Sequence, residues 1–529
     1  MKDFSSPKYA QQREFCGFWS VLALSFLLSI SAQSQASSEA SETQKGNRKP
    51  NVIWVVMEDV SPDLGFNGNV AIKTPNLDAL AASGTIFTNT FSTSPVCSPS
   101  RSAFFTGMYQ TSIGAHHHRS HTSDNFQLPS HVKMVTEFMR EAGYFTLLMG
   151  PKQKTDFNFS PRVAAFDATD GEEEIVSGSY HHGDPNMSLL TKPAWLEYKK
   201  HHSDKPFFAE INYSEAHRQF VEDNNNPVDR SLVTIPSYYP DHPVTREVWS
   251  QYLETVQQLD YRIGHLIEEL KAQDALNNTV IFIFGDHGRA MLRAKQWLYD
   301  SGTKVPMVVV GLPNVAAGED DRLVSLIDVL PTTLALAGIP IPQYIEGRNM
   351  LSPKEESRQY VFAQRDRLGA TEDRIRAVRS KQYKYILNYY PNLPYTNFST
   401  YKKLQYPTLT LMEVMHANHQ LSPLQDKWFN DTRPAQELYD VVNDPEETIN
   451  LAYDTKFKSV VAKMHQELMN WQQRTSDQGQ YIEDPRIAER LDKSEKIRFE
   501  KEMQSRGLSS STSNEAYLAW WKKQLGLAE

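Results

Sequence analysis

The sequence predicts an α/β protein, a mostly parallel sheet sandwiched by helices, followed by a smaller α+β part with an antiparallel sheet. Three observations carry that prediction. Continuous apolar, β-branched runs alternate with amphipathic helical segments through the first two-thirds of the chain, as buried parallel strands with helical crossovers require. Acidic pairs stand immediately after two of those runs. Beyond about residue 350 the pattern changes to apolar–polar alternation around short turns, the mark of antiparallel strands.

Taken in order, residues 1–36 read as a secretory signal. Lys2, Lys8 and Arg13 precede an apolar stretch from Phe15 to Ala32, and small residues at 32–36 offer a cleavage site. An uncleaved anchor is the competing reading; no other segment is long and apolar enough to span a bilayer. Residues 37–49 are a polar lead-in. Asn51 to Met57 is the first buried strand, ending at Glu58-Asp59. Thr74 and Pro75 open a short helix that Gly84 closes. Around Cys97, Ser98 is expected to cap a helix with Pro99 as its first residue and Gly107 near its end. A further helix covers about Val132 to Ala142. Strands follow at Phe207–Asn212, Val280–Phe284 and Val305–Val310, and a long helix runs from about Arg246 to Leu276 with its apolar residues at helical spacing. Arg374 to Asn388 reads as a hairpin about Ser380-Lys381-Gln382, Glu437–Asp440 as a short strand, and 455–475 as an amphipathic helix. The charged stretch 486–507 suits a solvated helix, and the last helix docks through Tyr517, Leu518, Trp520 and Trp521. The domain division follows: a catalytic part over 50–350 and a C-terminal α+β part with a helical tail over 351–529.

Composition narrows the function. The net charge of −9 over 529 residues excludes a globally basic nucleic-acid binder, so a polyanionic partner would need a local basic site. The chain has two cysteines, and Cys16 lies in the removable signal. Cys97 is then alone, without a disulfide partner and unable to build a multi-thiolate metal site; the plain alternative is a buried, inert thiol. Glu58-Asp59 and Asp286-His287 follow strand ends, where ligands gather in doubly wound sheets, and hard oxygen donors there favour Ca²⁺, or less strongly Mg²⁺. His116-His117-His118-Arg119-Ser120-His121 reads as a cationic cradle for an acidic sugar, a transition-metal site or a solvated loop. His181-His182 is a weaker copy of it.

The segment Cys97-Ser98-Pro99-Ser100-Arg101 matches Cys-x-Pro-Ser-Arg, and Glu58-Asp59, Thr74-Pro75-Asn76, Gly285-Asp286-His287-Gly288 and Glu437-Leu438-Tyr439-Asp440 stand around it in family order. With these motifs the chain resembles the type I, formylglycine-dependent sulfatases of the alkaline-phosphatase-like superfamily over most of residues 50–475. Glu58-Asp59 and Trp297-Leu298-Tyr299-Asp300-Ser301-Gly302 resemble the bacterial branch related to heparan N-sulfatases. The resemblance implies that a formylglycine-generating enzyme converts Cys97 to formylglycine, whose hydrate attacks sulfur. It implies calcium held by Glu58, Asp59, position 97, Asp286 and His287, and Arg101, Lys154, His217 and Lys295 as catalytic residues. Glu58 stands where the family usually has Asp, and Asp156 where it has the histidine of Lys-x-His; His181 or His182 is a candidate replacement. The implied activity is that of an exported enzyme removing O- or N-linked sulfate from a sulfated carbohydrate. A phosphonate or phosphate ester hydrolase and a non-catalytic glycan binder are the alternatives.

Overall fold

The computed structural model describes residues 49–527 except 120–124, 151–154, 171–187, 314 and 353–356. The expected signal segment, Lys154, His121, His181 and His182 therefore lie outside the described residues. Residues 50–529 form one compact unit. No helix among the described residues is long and apolar enough to cross a membrane.

The larger sheet has nine strands: β1 (Asn51–Met57), β2 (Thr85–Phe91), β3 (Phe145–Met149), β4 (Ala168–Thr169), β5 (Phe207–Tyr213), β6 (Thr279–Gly285), β7 (Lys304–Val305), β8 (Met307–Val310) and β9 (Gly318–Ser325). Their order is β4-β3-β5-β1-β6-β8-β2-β7, with β9 paired to β2. From β4 to β6 every pairing is parallel, as the apolar runs require. β8 reverses the direction against both β6 and β2. The expected strand at Val305–Val310 is broken in two by Pro306, which has no N–H to give to a ladder. The smaller sheet, β10 (Val361–Arg365), β11 (Ile375–Arg379), β12 (Tyr383–Asn388) and β13 (Gln436–Asp440), is wholly antiparallel. It contains the expected hairpin and the expected short strand.

Register decides where the chemistry falls. Met57 lies opposite both Tyr213 and Gly285, so the loops opened by Glu58, Ser214 and Asp286 leave the sheet side by side. Behind them Trp54, fully buried on β1, meets the rings of Phe104, Phe105, Phe208 and Phe284 at 5.1–6.2 Å, and its indole N–H donates to Thr333 Oγ1 at 3.0 Å. Phe104 and Phe105 belong to the helix Cys97–Thr106, which this aromatic cluster fixes against the sheet.

That helix differs from expectation at its start. It begins at Cys97 with Val96 in the cap position and no side-chain cap. Ser98 sits inside the first turn with its hydroxyl unpartnered and its carbonyl accepting from Ser102 Oγ at 2.7 Å. Pro99 is then the third helical residue, where an N–H would find no intrahelical acceptor in any case. The far end is as expected: Gly107 closes the helix at φ +66°. The two sheets are joined by buried charge. Lys384 on β12 reaches Asp300 Oδ1 at 2.5 Å and Glu447 Oε1 at 3.3 Å, while Glu447 Oε2 accepts from the Asp300 N–H at 2.6 Å.

Candidate active site

Cys97 stands at the amino end of its helix, 6% exposed, where free N–H groups and the helix dipole favour an anion. Ser100 Oγ donates to the Asp286 carbonyl at 2.6 Å, tying the helix to the loop after β6. On that loop Gly288 has no room for a side chain: a Cβ would lie 2.1 Å from the Ser301 carbonyl. The result is a buried group in which ligand atoms of Asp59, Cys97 and His287 all lie within 4.8 Å of one another.

The contacts are specific. His287 Nε2 is 3.2 Å from Cys97 Sγ and 3.0 Å from Asp59 Oδ1. Its Nδ1 is 2.9 Å from the Gly288 carbonyl, which only accepts, so Nδ1 carries a proton. Lys295 Nζ donates to Asp59 Oδ1 at 2.8 Å and Oδ2 at 2.7 Å, and lies 3.6 Å from Cys97 Sγ. Asp286 Oδ1 accepts from the N–H groups of Asp59 (3.0 Å) and His287 (2.8 Å). Asp286 Oδ2 is buried with no hydrogen-bond donor, 3.7 Å from His287 Nε2. Glu58 Oε1 accepts from Asn212 Nδ2 at 2.8 Å.

Burial alone would raise the pKa of Asp59, but Lys295 and then His287 outweigh it and hold the carboxyl well below its usual range. Asp286 lacks such a partner at close range. Burial, with only His287 opposing strongly, pushes it up to about 6. For Lys295 and His287 burial disfavours charge, yet Asp59 for the lysine and Asp286 for the histidine raise both pKa values well above normal. A buried carboxylate oxygen without a donor, beside a second carboxylate whose counter-charge is two side-chain cations, fits a hard divalent cation. Glu58, Asp59 and Asp286 are the carboxylates that would hold it, and His287 would join them only on losing its Nε2 proton.

Arg101 is fully buried and uses its whole fork: Nε donates to the Thr155 carbonyl at 2.8 Å, Nη1 to Asn212 Oδ1 at 3.0 Å, and Nη2 to Glu210 Oε1. His217 is half-buried, with Nδ1 3.2 Å from the Arg218 carbonyl and its ring 5.9 Å from Tyr401. Asp156 is buried at φ +46° and lies 3.6 Å from Arg119 Nε. In the histidine run, the rings of His116 and His117 lie 4.3 Å apart, tilted by 45°, with both Nδ1 atoms unpartnered. Burial pushes their pKa values down to about 3 and about 4, so both are neutral at physiological pH and supply no cation. The half-buried His118 binds backbone to backbone with Arg367 at 3.1 Å, and the Arg119 side chain is 46% exposed.

Sequence reasoning missed Glu210, Asn212, Arg218 and Tyr401. A glutamate and an asparagine inside the otherwise apolar run Phe207–Tyr213 were the available signal, since a buried carboxylate calls for a cation. Arg218 is buried over the rings of Phe220 (4.3 Å) and Tyr406 (4.6 Å), and nothing local distinguishes it.

A buried thiol at a helix start, facing carboxylates gathered at the carboxyl edge of an α/β sheet, suits hydrolytic chemistry on an anion. The sequence agrees: the sulfatase family profile matches residues 50–339 and the N-sulphoglucosamine sulphohydrolase C-terminal profile residues 285–427. The chain belongs to the sulfatase family and is a sulfuric ester hydrolase. It is 32% identical to an ulvan-active sulfatase of Formosa agariphila over 85% of this chain and 80% of that one. It is 26% identical to human N-sulphoglucosamine sulphohydrolase over 81% and 91%. Among solved structures, a 2-O GAG sulfatase superposes with TM-score 0.60 at 20% identity, covering 83% of this chain and 96% of that one. The phosphonate monoester hydrolase of Silicibacter pomeroyi gives 0.56 at 16%, covering 81% and 96%. These two show the shared fold.

Proposed function

We propose that this chain is an exported sulfatase that removes O- or N-linked sulfate from a sulfated polysaccharide or its oligosaccharides, with Cys97 oxidised to formylglycine and a calcium ion bound beside it. Residues 50–350 would supply the catalytic part and 351–529 the accessory part. The observation that carries the reading is the buried convergence of Asp59, Cys97 and His287 with Lys295. No apolar contact calls for three charged groups around one thiol, and a structural cysteine needs none of them.

Formylglycine, once formed at 97, would supply as its hydrate a hydroxyl nucleophile for sulfur and a second hydroxyl whose deprotonation lets sulfate leave, with Asp59, His287 and Lys295 as the residues beside it. Calcium, when bound, supplies positive charge to the sulfate oxygens and the attacking oxygen. Asp59, Asp286 and Glu58 hold that charge in place. Lys295, 3.6 Å from Cys97 Sγ, is positioned for a sulfate oxygen, and Lys154 shares that task from outside the described residues. The half-buried His217 donates a proton to the departing oxygen or nitrogen. Arg101, locked by Glu210, Asn212 and Thr155, positions the helix end that carries residue 97.

Mass spectrometry of the peptide containing residue 97 from an oxidising, maturation-competent host tests the reading, with assays on paired sulfate and phosphonate esters. An aldehyde at 97 and preference for sulfate are expected. Cys97→Ala should abolish turnover yet keep its melting temperature within a few degrees, and calcium should raise that temperature saturably. An unmodified thiol in a fully active enzyme, or unfolding of Cys97→Ala, would overturn it.

A further inference from the structure

Next to the catalytic centre, three buried cations share one carboxylate. Asp373 accepts from both terminal nitrogens of Arg433, one at 2.9 Å, and lies 3.4 Å from Arg365 Nη2. Lys402, in the short helix Thr400–Gln405, makes no hydrogen bond or ion pair through Nζ among the described residues; its ammonium lies 5.7 Å over the Trp297 ring. Arg365 and Arg433 lie over the same ring at 4.3 and 5.6 Å. All three cations are at most 6% exposed, and Asp373 is the one described carboxylate whose field bears on Arg365 and Lys402. Asp373 is thus a single carboxylate among three basic side chains.

Unused polar atoms surround them. Arg365 Nε and Arg433 Nε are buried without a partner. The cluster also abuts the nucleophile segment. The Gln364 N–H donates to the Thr93 carbonyl at 2.9 Å, Arg365 Nη1 to the Gln296 carbonyl at 2.9 Å, and the Gln296 N–H to the Pro95 carbonyl at 2.8 Å. Tyr401, the residue before Lys402, places its ring 5.5 Å from Lys295 Nζ.

We propose that Arg365, Lys402 and Arg433 form a second anion subsite that holds a further acidic group of the sugar, a carboxylate or a second sulfate, and so selects polyanionic carbohydrates. This inference rests on the sulfatase reading above. Burial, then the charge of Arg365, pushes the Lys402 ammonium well below its usual pKa, and burial brings Arg365 down to about 10. An anion entering the cluster would reverse both effects.

The test compares wild type, Lys402→Met and Lys402→Arg in the full-length enzyme. The probes are 4-nitrophenyl sulfate, uronate-bearing sulfated disaccharides released from ulvan and heparan sulfate, their carboxyl-reduced forms, and forms with a second sulfate. Lys402→Met should raise KM for the doubly charged sugars at least tenfold with kcat within twofold, and Lys402→Arg should restore it. Turnover of 4-nitrophenyl sulfate should stay within twofold. The melting temperature of Lys402→Met should rise, because an uncompensated buried cation is gone. A defect that vanishes on carboxyl reduction assigns a carboxylate; one confined to disulfated sugars assigns a sulfate. Unchanged KM for every charged sugar, or equal loss on the aryl sulfate, overturns the subsite. Failure of wild type on all probes overturns the sulfatase reading instead.

Discussion

Glu210 and Arg101 pair with no solvent around either side chain, and that makes their removal informative. Taking one partner from a buried ion pair leaves a desolvated charge and costs about 3–5 kcal/mol. Glu210→Gln keeps the shape and one acceptor oxygen but not the charge. We expect its unfolding free energy in urea to fall by about 3–5 kcal/mol, with kcat/KM falling as well because Arg101 loses its fixed orientation. A variant as stable and as active as wild type would show that Glu58 and Asp286, which also act on Arg101, suffice. Cys97, Glu58-Asp59 and Asp286-His287 were legible as residues because strand ends and a short motif mark them. Glu210 was not, since its partner lies 109 positions away and no local pattern links them.

Elements were legible where burial is uniform and hidden where it is not. NVIWVVM, FFAEIN and VIFIF announce central strands because both faces are covered. β2 (TIFTNTF) mixes threonine and asparagine with its apolar residues, and β9 (GEDDRLVS) is half charged; both lie on the far side of the antiparallel β8, and neither was read as a strand. The helices Thr400–Gln405 and Pro407–Ala417 escaped because Pro407 interrupts the periodicity and Lys402 points inward. One element bears most on the site: the helix Cys97–Thr106 rests on the Trp54 cluster. Trp54→Ala removes the ring that touches four others and strands the Thr333 hydroxyl. Large-to-small core changes of this kind cost about 3–5 kcal/mol. We expect a loss of that size by chemical denaturation, and a drop in activity per folded molecule as the helix loosens. Trp54→Phe should recover most of the stability. Full activity in folded Trp54→Ala would mean that the Ser100 tether alone holds the nucleophile.

Across the whole molecule, the histidine run packs beside the smaller sheet, and that contact makes stability depend on acid. His116 is buried among Arg376, Arg367 and Arg374, with Asp477 opposing them. His117 faces His116, Asp366, Glu483 and Arg367. Burial comes first among the causes, and the folded pKa values of about 3 and about 4 stand below the ordinary 6.5. The unfolded chain therefore binds more protons than the folded one between those limits, and unfolding free energy must fall as pH falls. The full contribution is present above pH 6.5 and shrinks steadily towards pH 4. Each histidine adds a slope of at most about 1.4 kcal/mol per pH unit. Urea titrations at fixed calcium from pH 7 to pH 4.5 should show this slope in wild type and a clearly shallower one in His116→Gln/His117→Gln. Parallel slopes in the two proteins would mean that the histidines stay solvated, and the acid sensitivity would then belong to the carboxylates of the catalytic edge. A shallower slope in that variant would place the acid-labile seam between the histidine run and the smaller sheet, where protonation sets two new cations against three arginines.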